Sequence, residues 1–600
     1  MHFKPSPSKP IEDYALIGDG RTAALVARDG DIDWLCWPRF DSDACLSALL
    51  GDERHGAWRL RPTEGADVSR SYCGDTQVLQ TEFRTSGGVL RLTDFMPLGE
   101  DDVSAVIRRL DVREGAVEIE TALSLRFGYG EIAPWFSALS GPGIGGFSGE
   151  VGPDLVVLRG PGLWLDRDVL RARFRLRGGE RADYVLQHAC SARPIPDPID
   201  PEKALARTLA SWRGWIGRFD RKTDWPDAVK RSLLTLKALT HMPSGSIVAA
   251  PTLGLPEKPG GRLNWDYRYC WPRDSGFTLT ALLNAGFHDE AQAWLRWLLR
   301  AVAGAPDKMR VMYRVDGGRQ IEEREIDSLP GWNGARPVRV GNAAAGQRQL
   351  DLYGEVLDSV CLCERAGLPH NANAFAISAR LVAHVERIWR EPDRGMWESR
   401  GKPQHYVYSK VMAWVAVDRL LRLDDRDGGC THDRRAELEA LRDAIHADVC
   451  AQGFDSQRGS FTQAYGSNRL DASTLLLPLV GFLPVNDERI AGTIAAVEQG
   501  LMEGGLVRRE EAPWFGREEG VFLPCSCWLA DCMAIQNRRK EARALFERVL
   551  ALASDLGLLS EEYHVPSRRL LGNFPQAMTH VAVINTALGL CGPVLQRGGG

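Results

Sequence analysis

A change in hydrophobic period near residue 195 constrains the fold of this chain more than any other feature. Before that point, apolar residues come in short or alternating bursts separated by Gly, Asp and Pro, as in residues 104–110 and 117–123. Such bursts, bounded by turn formers, are typical of antiparallel strands. After about residue 224, apolar residues recur at helical spacing almost to the end of the chain. The sequence therefore predicts a β half followed by an α half.

A chain of 600 residues is too long for one ordinary core, so we expect more than one domain. We predict an N-terminal antiparallel β-sandwich over residues 1–199, a linker helix over 200–223 and an (α/α)6 barrel over 224–595. The barrel is inferred from about twelve helical stretches joined by alternating short and long loops. An irregular all-α solenoid is the alternative. In a barrel, the three longest loops should meet at one mouth: 242–273, 304–349 and 556–575.

Charge and hydropathy exclude several classes of partner. A net charge of -5 and a pI near 6.2 provide no basic surface for nucleic acid or anionic membrane. No run of about 18 apolar residues is present that would cross a membrane. Residues 1–7 lack the apolar stretch of a secretory signal, and the 13 cysteines are irregularly spaced. We therefore expect reduced thiols and a cytoplasmic protein, whose oligomeric state the sequence does not specify.

Two motifs invite a cofactor or metal assignment that their context disfavours. Residues 141–146 (GPGIGG) match the GxGxxG pattern of dinucleotide sites, but the residues that follow read as a strand instead of the helix that such a site needs. Cys525, Cys527 and Cys532 lie in an apolar helical stretch without paired CxxC spacing. We expect a glycine-rich turn and buried thiols, and hence neither a metal nor a cofactor.

Two widely separated acidic positions are candidates for catalysis. Cleaving a glycosidic bond takes one carboxyl group that protonates the departing oxygen and a second that activates water or attacks the anomeric carbon. Glu398 is the acid candidate, because the adjacent indole of Trp397 would help to exclude water. Glu561 or Glu562, on a predicted loop, is the candidate for the second group. The simpler interpretation of each is a solvated surface carboxylate.

An aromatic segment, residues 264–274 (NWDYRYCWPRD), ends in an Arg-Asp pair at the start of a predicted helix. Asp274 could cap that helix, with Arg273 as its ion-pair partner. Alternatively, both side chains bind sugar hydroxyls while Tyr267 and Trp271 stack on the ring. Spacing alone leaves the two interpretations equally open.

Several of these motifs together resemble glycoside hydrolase family 15, the glucoamylase and bacterial-type trehalase family. Three segments of this chain resemble the family's catalytic motifs: residues 264–274, 396–401 (MWESRG) and 560–563 (SEEY). Four others resemble its trehalase-like branch: residues 11–20, 33–42, 340–344 and 349–356. The motifs follow one another in the family's order over nearly the whole chain. Members of the family pair a β-sandwich with an (α/α)6 barrel, which agrees with the periodicity.

The resemblance implies an inverting, exo-acting α-glucosidase that releases β-glucose, with α,α-trehalose as the expected substrate. It implies that Glu398 is the general acid and Glu561 the general base. Substrate-binding positions implied by the match are Tyr267, Trp271, Arg273, Asp274, Trp397 and, more loosely, Arg508. Ser399 stands where fungal glucoamylases have a second Glu, so long starch chains need not be substrates.

Three alternatives remain open at this point. A maltose or isomaltose glucohydrolase would use the same residues. A glycoside phosphorylase of similar architecture would take phosphate as its nucleophile and would not need Glu561. A sugar-binding protein without catalysis belongs to a different class, and the presence of both carboxylates disfavours it.

Overall fold

The computed structural model describes residues 8–98, 103–139, 145–369, 372–427, 432–511 and 519–598. Within these residues, the first half of the chain is a β-sandwich whose strand pairings are all antiparallel. Its fifteen strands are Tyr14–Gly18, Ala23–Ala27, Ile32–Cys36, Ala44–Leu46, Ala57–Pro62, Asp67–Tyr72, Leu79–Arg84, Gly88–Phe95, Ser104–Ser124, Trp135–Ala138, Gly146–Val151, Asp154–Arg159, Trp164–Asp166, Val169–Arg177 and Arg181–Cys190.

One long strand, Ser104–Ser124, belongs to both layers of the sandwich. Its first part pairs with Gly88–Phe95 and Arg181–Cys190, and its second part pairs with Ala57–Pro62 and Val169–Arg177. The change of layer falls at Gly115, whose φ of 70° is in the left-handed region. A side chain there would also meet the backbone of the neighbouring strand, so the bend requires glycine.

A helix bridges the two halves of the molecule. The helix Pro201–Ile216 begins where the Asp200 carboxylate accepts the backbone N–H groups of the first turn. Near its start, Ala204 packs in the same apolar cluster as Ile107 of the sandwich. Near its end, the ring of Trp215 lies 4.4 Å from that of Phe287 in the second half.

The second half is an (α/α)6 barrel. The twelve helical elements described here are Pro226–Ala238, Ser275–Asn284, His288–Val302, Asp351–Arg365, Ala372–Ile388, Val407–Asp427, Arg435–Gln452, Leu476–Leu479, Glu488–Gly500, Leu523–Ile535, Arg539–Leu550 and Ala577–Cys591. The last helix packs against the first two, so the ring is closed and the solenoid alternative is excluded.

Inner and outer helices alternate along the chain, and their sequences differ accordingly. Helices such as Leu523–Ile535 and Ala577–Cys591 are buried along almost their whole length, as expected for the inner ring. Outer helices such as His288–Val302 and Arg539–Leu550 bury one face only. This alternation confirms the predicted helical hairpins.

One predicted helix is much shorter than its sequence pattern suggests. Residues 471–482 form a 3-10 turn, Ala472–Leu475, followed by the single-turn helix Leu476–Leu479. Pro478, the third residue of this helix, has no N–H to donate and its ring crowds the preceding turn, so the α-helix cannot extend far before it. Gly481, with a φ of 78°, lies just beyond the end of the helix.

Several other predictions can be placed. Cys525, Cys527 and Cys532 are buried free thiols of the helix Leu523–Ile535. Of the glycine-rich segment, residues 141–144 lie outside the described residues, while Gly146 begins a strand. Residues 1–7 also lie outside them. In the part of the chain that is described, no helix combines the length and the apolar content needed to cross a bilayer. The domain boundaries remain a prediction.

A fully buried ion pair joins the two halves. The Arg268 guanidinium donates to both carboxylate oxygens of Asp266, at 2.9 and 2.7 Å. The same guanidinium donates to the backbone oxygen of Ser42 and, at 2.8 Å, to the hydroxyl of Tyr129 in the β half. These charge-assisted bonds raise the pKa of Arg268 further despite its burial.

Removing one partner of this pair should destabilise the protein. Arg268→Ala leaves the Asp266 carboxylate buried without its counter-charge, so we expect the free energy of unfolding to fall by about 3–5 kcal/mol. Thermal melting followed by circular dichroism measures the change. Arg173→Ala, which breaks an exposed pair with Glu118, is the matched control and should leave the melting temperature unchanged. Equal melting temperatures for the two variants would contradict this account.

Candidate active site

A cavity opens at the mouth of the barrel, and all three long loops contribute to its wall, as their lengths predicted. Residues from 242–273, 304–349 and 556–575 are joined there by residues from the helix starts and from the turn around residue 398. The charged and amide side chains in the wall are Glu257, Arg273, Asp274, Asn342, Glu398, Arg400, Arg509, Glu510, Glu561 and Gln576.

A tight turn presents Glu398 to this cavity. Glu398 has a φ of 56°, in the left-handed region, which costs a residue with a side chain roughly 1–2 kcal/mol. Gly395 opens the turn, where a side chain would collide with the ring of Tyr406. The amide of Gln347 donates to the backbone oxygens of Glu398, at 3.1 Å, and Ser399. Strain held in this way often marks a functional position.

Two donors converge on one oxygen of the Glu398 carboxylate. The indole N–H of Trp271 and the guanidinium of Arg273 donate to its Oε1 at 2.7 and 2.9 Å. Arg273 also donates to the backbone oxygen of Met396, at 2.7 Å. The carboxylate is therefore fixed by side chains that arrive from more than 120 residues earlier in the sequence.

The structure excludes the helix-capping role of Asp274. Its side chain makes no capping bond to the helix Ser275–Asn284. Instead it lines the cavity and accepts a hydrogen bond from Arg273 at 3.1 Å. Burial raises the pKa of Asp274, although the neighbouring guanidinium opposes that shift. Asp274 is thus placed to accept hydrogen bonds from a polar ligand.

Glu561, the other predicted catalytic carboxylate, also lines the cavity and is fully buried. The Tyr267 hydroxyl donates to its Oε1 at 2.6 Å, and a hydrogen bond from the Asn573 backbone also favours the ionised carboxylate. Burial raises the pKa of Glu561 to about 7, against the opposing effects of Arg509 and Tyr267. Gly572 packs on this carboxylate at a position where a side chain would not fit.

Glu562, the alternative candidate, does not line the cavity, although its carboxylate lies within 4.8 Å of that of Glu561. It begins the strand Glu562–His564, and its Oε1 accepts a hydrogen bond from Arg509 at 2.6 Å. Arg509 also donates to Glu257, at 2.9 Å, and to Glu519. Glu562 is not part of the cavity wall.

Three buried carboxylates come close enough together to hold a metal ion: Glu257, Glu561 and Glu562. The described part of the chain contains no other group of this kind. The guanidinium of Arg509 already bonds two of them, and so supplies the positive charge that a cation would otherwise provide. The three cysteines of the helix Leu523–Ile535 do not form such a group.

Trp397 lines the cavity but does not bond its neighbour Glu398. Its indole N–H donates to Asp471 at 2.9 Å, and its ring packs against those of Phe522 and Trp528. The indole forms part of an aromatic wall, while Trp271 takes the role of donor to the Glu398 carboxylate.

Among the site residues implied by the family resemblance, Arg508 is the one that does not line the cavity. Its guanidinium donates to the backbone oxygen of Gly500 at 3.1 Å, away from the cavity wall. The neighbouring Arg509 lines the cavity instead. Because successive side chains of an extended segment point to opposite sides, the Arg-Arg sequence does not reveal which of the two faces the ligand.

Sequence reasoning also missed cavity residues that lie inside recognised motifs. Trp265 and Arg400 belong to the segments 264–274 and 396–401, and Asn342 belongs to 340–344. Their positions within these motifs were the available signal, but their contacts depend on segments far apart in the chain.

Comparison with known proteins agrees with this geometry. The family model described as glycosyl hydrolases family 15 matches residues 225–588. The chain belongs to glycoside hydrolase family 15. A second model, trehalase-like, N-terminal, matches residues 4–163. The trehalase of Mycobacterium tuberculosis is 37% identical over 97% of this chain and 90% of its own length. The trehalase of Thermoplasma volcanium is 34% identical over 98% of this chain and 94% of its own.

A solved structure establishes the fold independently. A bacterial glucoamylase complexed with acarbose superposes with a TM-score of 0.74, covering 99% of this chain and 96% of its own, at 11% identity. The protein is a glycoside hydrolase with the β-sandwich and (α/α)6 barrel of this family.

Proposed function

We propose that this glycoside hydrolase is an inverting α,α-trehalase in which Glu398 is the general acid and Glu561 the general base. One observation carries the proposal: two carboxylates far apart in sequence line the same cavity in different hydrogen-bonding environments. The names of the similar proteins support trehalose as the substrate. A maltose or isomaltose glucohydrolase is the second candidate, because the glucoamylase shares the fold.

The environment of Glu398 suits proton donation to the glycosidic oxygen. Trp271 and Arg273 both donate to Oε1, so a proton on this carboxyl group belongs on Oε2. Departure of the sugar leaves Glu398 ionised, and the adjacent guanidinium stabilises that charge. Arg273 is therefore already in position to stabilise the negative charge that Glu398 gains when it protonates the leaving oxygen.

The environment of Glu561 suits activation of water. Tyr267 orients the carboxylate through Oε1, and the ionised carboxylate accepts a proton from the attacking water. The water attacks the face of the anomeric carbon opposite the departing oxygen and yields β-glucose. This geometry requires the two carboxyl groups to lie roughly 6.5–9.5 Å apart, which leaves room for the water.

The remaining residues bind the glucose whose bond is cleaved. Arg273 and Asp274 form hydrogen bonds to its hydroxyl groups, and Trp271 and Trp397 supply aromatic surface for its ring. Arg509 takes the place that the sequence assigned to Arg508. No step requires a cofactor. We further propose a cytoplasmic location, since the twelve described cysteines are free thiols.

The anomer released from each disaccharide tests the proposal directly. Proton NMR time courses with trehalose, maltose and isomaltose should show β-glucose as the first new signal from trehalose. Early β-glucose from maltose or isomaltose alone would retain the mechanism and replace the substrate. Early α-glucose would contradict inversion, and no glucose from any disaccharide would contradict hydrolysis of these substrates.

Replacing either carboxylate should abolish most turnover without unfolding the protein. Glu398→Gln and Glu561→Gln each remove one proton-transfer group, so we expect kcat to fall by about 10²–10⁴-fold. The melting temperature should change little. Glu439→Gln, on an outer helix, is the control and should keep normal kcat. Near-normal turnover in either cavity variant would remove that residue from the mechanism.

The pH dependence of kcat/KM should follow the ionisation of Glu561. The base must be ionised, so kcat/KM should decline as pH falls below about 7, the raised pKa of this group. The Tyr267 hydrogen bond stabilises the carboxylate and lowers its pKa. Tyr267→Phe should therefore move the acid limb upward by about one pH unit.

A matched tyrosine provides the control for this shift. The Tyr465 hydroxyl donates to Asp448 at 2.9 Å, outside the cavity, so Tyr465→Phe should leave the limb in place. An unmoved limb in Tyr267→Phe would show that Glu561 does not govern it.

A further inference from the structure

One group of residues in the cavity wall has no part in the mechanism described above. Trp265, Asn342 and Arg400 line the same cavity as the two catalytic carboxylates. The side chain of Arg400 is 27% exposed, compared with 13% for Arg273, which bonds Glu398. Arg509, the third cavity arginine, is 11% exposed. Arg400 is therefore the most solvent-accessible of the three, as expected of a residue nearer the mouth.

Arg400 is held rigidly for a residue near solvent. Its guanidinium donates to both oxygens of Glu323, with the NH1 bond at 3.0 Å. Glu323 is itself fixed by the backbone N–H of Ala343, also at 3.0 Å. The guanidinium carbon lies 4.2 Å from the ring centre of Trp265. Two of the five N–H donors are used by Glu323, so the fork retains donors for a ligand.

The turn that presents the general acid also determines the position of Arg400. Gln347 binds the backbone oxygens of Glu398 and Ser399, so Arg400 begins where the fixed part of the turn ends. Ser399 is buried, and its hydroxyl accepts the backbone N–H of Gly401, so its side chain is not part of the cavity wall. The first side chain after the acid that reaches the cavity is Arg400.

The guanidinium of Arg400, held by Glu323 and Trp265, matches the chemistry of a second sugar. The departing ring is neutral and rich in hydroxyl groups, which accept hydrogen bonds from an oriented guanidinium. It leaves from the side of the bond that Glu398 protonates, and Arg400 is two residues from Glu398. A second guanidinium, Arg339, lies 5.0 Å from the centre of the Trp265 ring and 3.6 Å from Glu323.

We propose that Arg400, positioned by Glu323 and Trp265, forms the subsite for the departing sugar and sets the preference among α-glucosides. A fixed donor discriminates among linkages, because trehalose and maltose present different hydroxyl groups to the same point in space. This inference rests on the proposed function, since it takes Glu398 as the group that protonates the leaving oxygen.

A substrate without a departing sugar separates this role from a structural one. α-D-Glucosyl fluoride fills the first subsite but has only fluoride as its leaving group. In Arg400→Gln, kcat/KM for trehalose should fall about 30-fold, which corresponds to the loss of charge-assisted hydrogen bonds. The value for α-D-glucosyl fluoride should change by less than about threefold. Glu323→Gln should show the same selective pattern to a smaller degree.

A matched arginine serves as the control. Arg348 pairs with Glu391 at the surface and does not line this cavity, so Arg348→Gln should keep both activities. Equal losses on both substrates in folded Arg400→Gln, or no loss on trehalose, would overturn the proposal. If that variant does not fold, Arg400→Lys, which keeps the charge but loses the fork, decides by the same criterion.

Failure of the underlying function has a different signature. If the wild-type protein converts the fluoride to β-glucose but leaves trehalose intact, the proposed substrate is wrong. The comparison is then made with whichever of maltose or isomaltose the wild type hydrolyses, and the selective loss in Arg400→Gln is still required.

Discussion

The buried guanidinium of Arg268 anchors the segment on which the active site depends. It bonds Asp266, whose carboxylate also accepts the backbone N–H of Gly341, and it reaches the β half at Ser42 and Tyr129. One ion pair thus joins three regions of the chain. The residues that bond the Glu398 and Glu561 carboxylates lie in this same short segment, so the sandwich helps to fix the backbone of the cavity wall. Burial makes the pair rigid, because no water competes for its hydrogen bonds.

The cavity contains more carboxylates than cations, so the carboxylates differ in which arginine, if any, they contact. Arg273 is shared between Asp274 and Glu398, whereas Arg509 is shared among the acidic side chains behind Glu561. Glu398 thus has a guanidinium at one of its oxygens, whereas Glu561 accepts a hydrogen bond from the neutral hydroxyl of Tyr267.

Much of the fold was predictable because hydrophobic period reports directly on secondary structure. The alternating bursts became the sandwich, and the helical spacing became the twelve helices of the barrel. The main difference in length lies around Pro478 and Gly481. The cavity was predictable only in part. Spacing alone could not single out Glu398 and Glu561 from the other acidic residues, and the family resemblance made that choice. The structure brings both into one cavity.

By itself, the sequence determined the order of the two halves, the helical hairpins and the motifs that carry the candidate acid and base. Tertiary structure alone decided which of two adjacent side chains faces the cavity, Arg509 over Arg508 and Glu561 over Glu562. It also paired Arg400 with Glu323, 77 residues away. The physical reason is that local period depends on neighbours in sequence, whereas side-chain direction and ion pairing depend on which distant segments pack together.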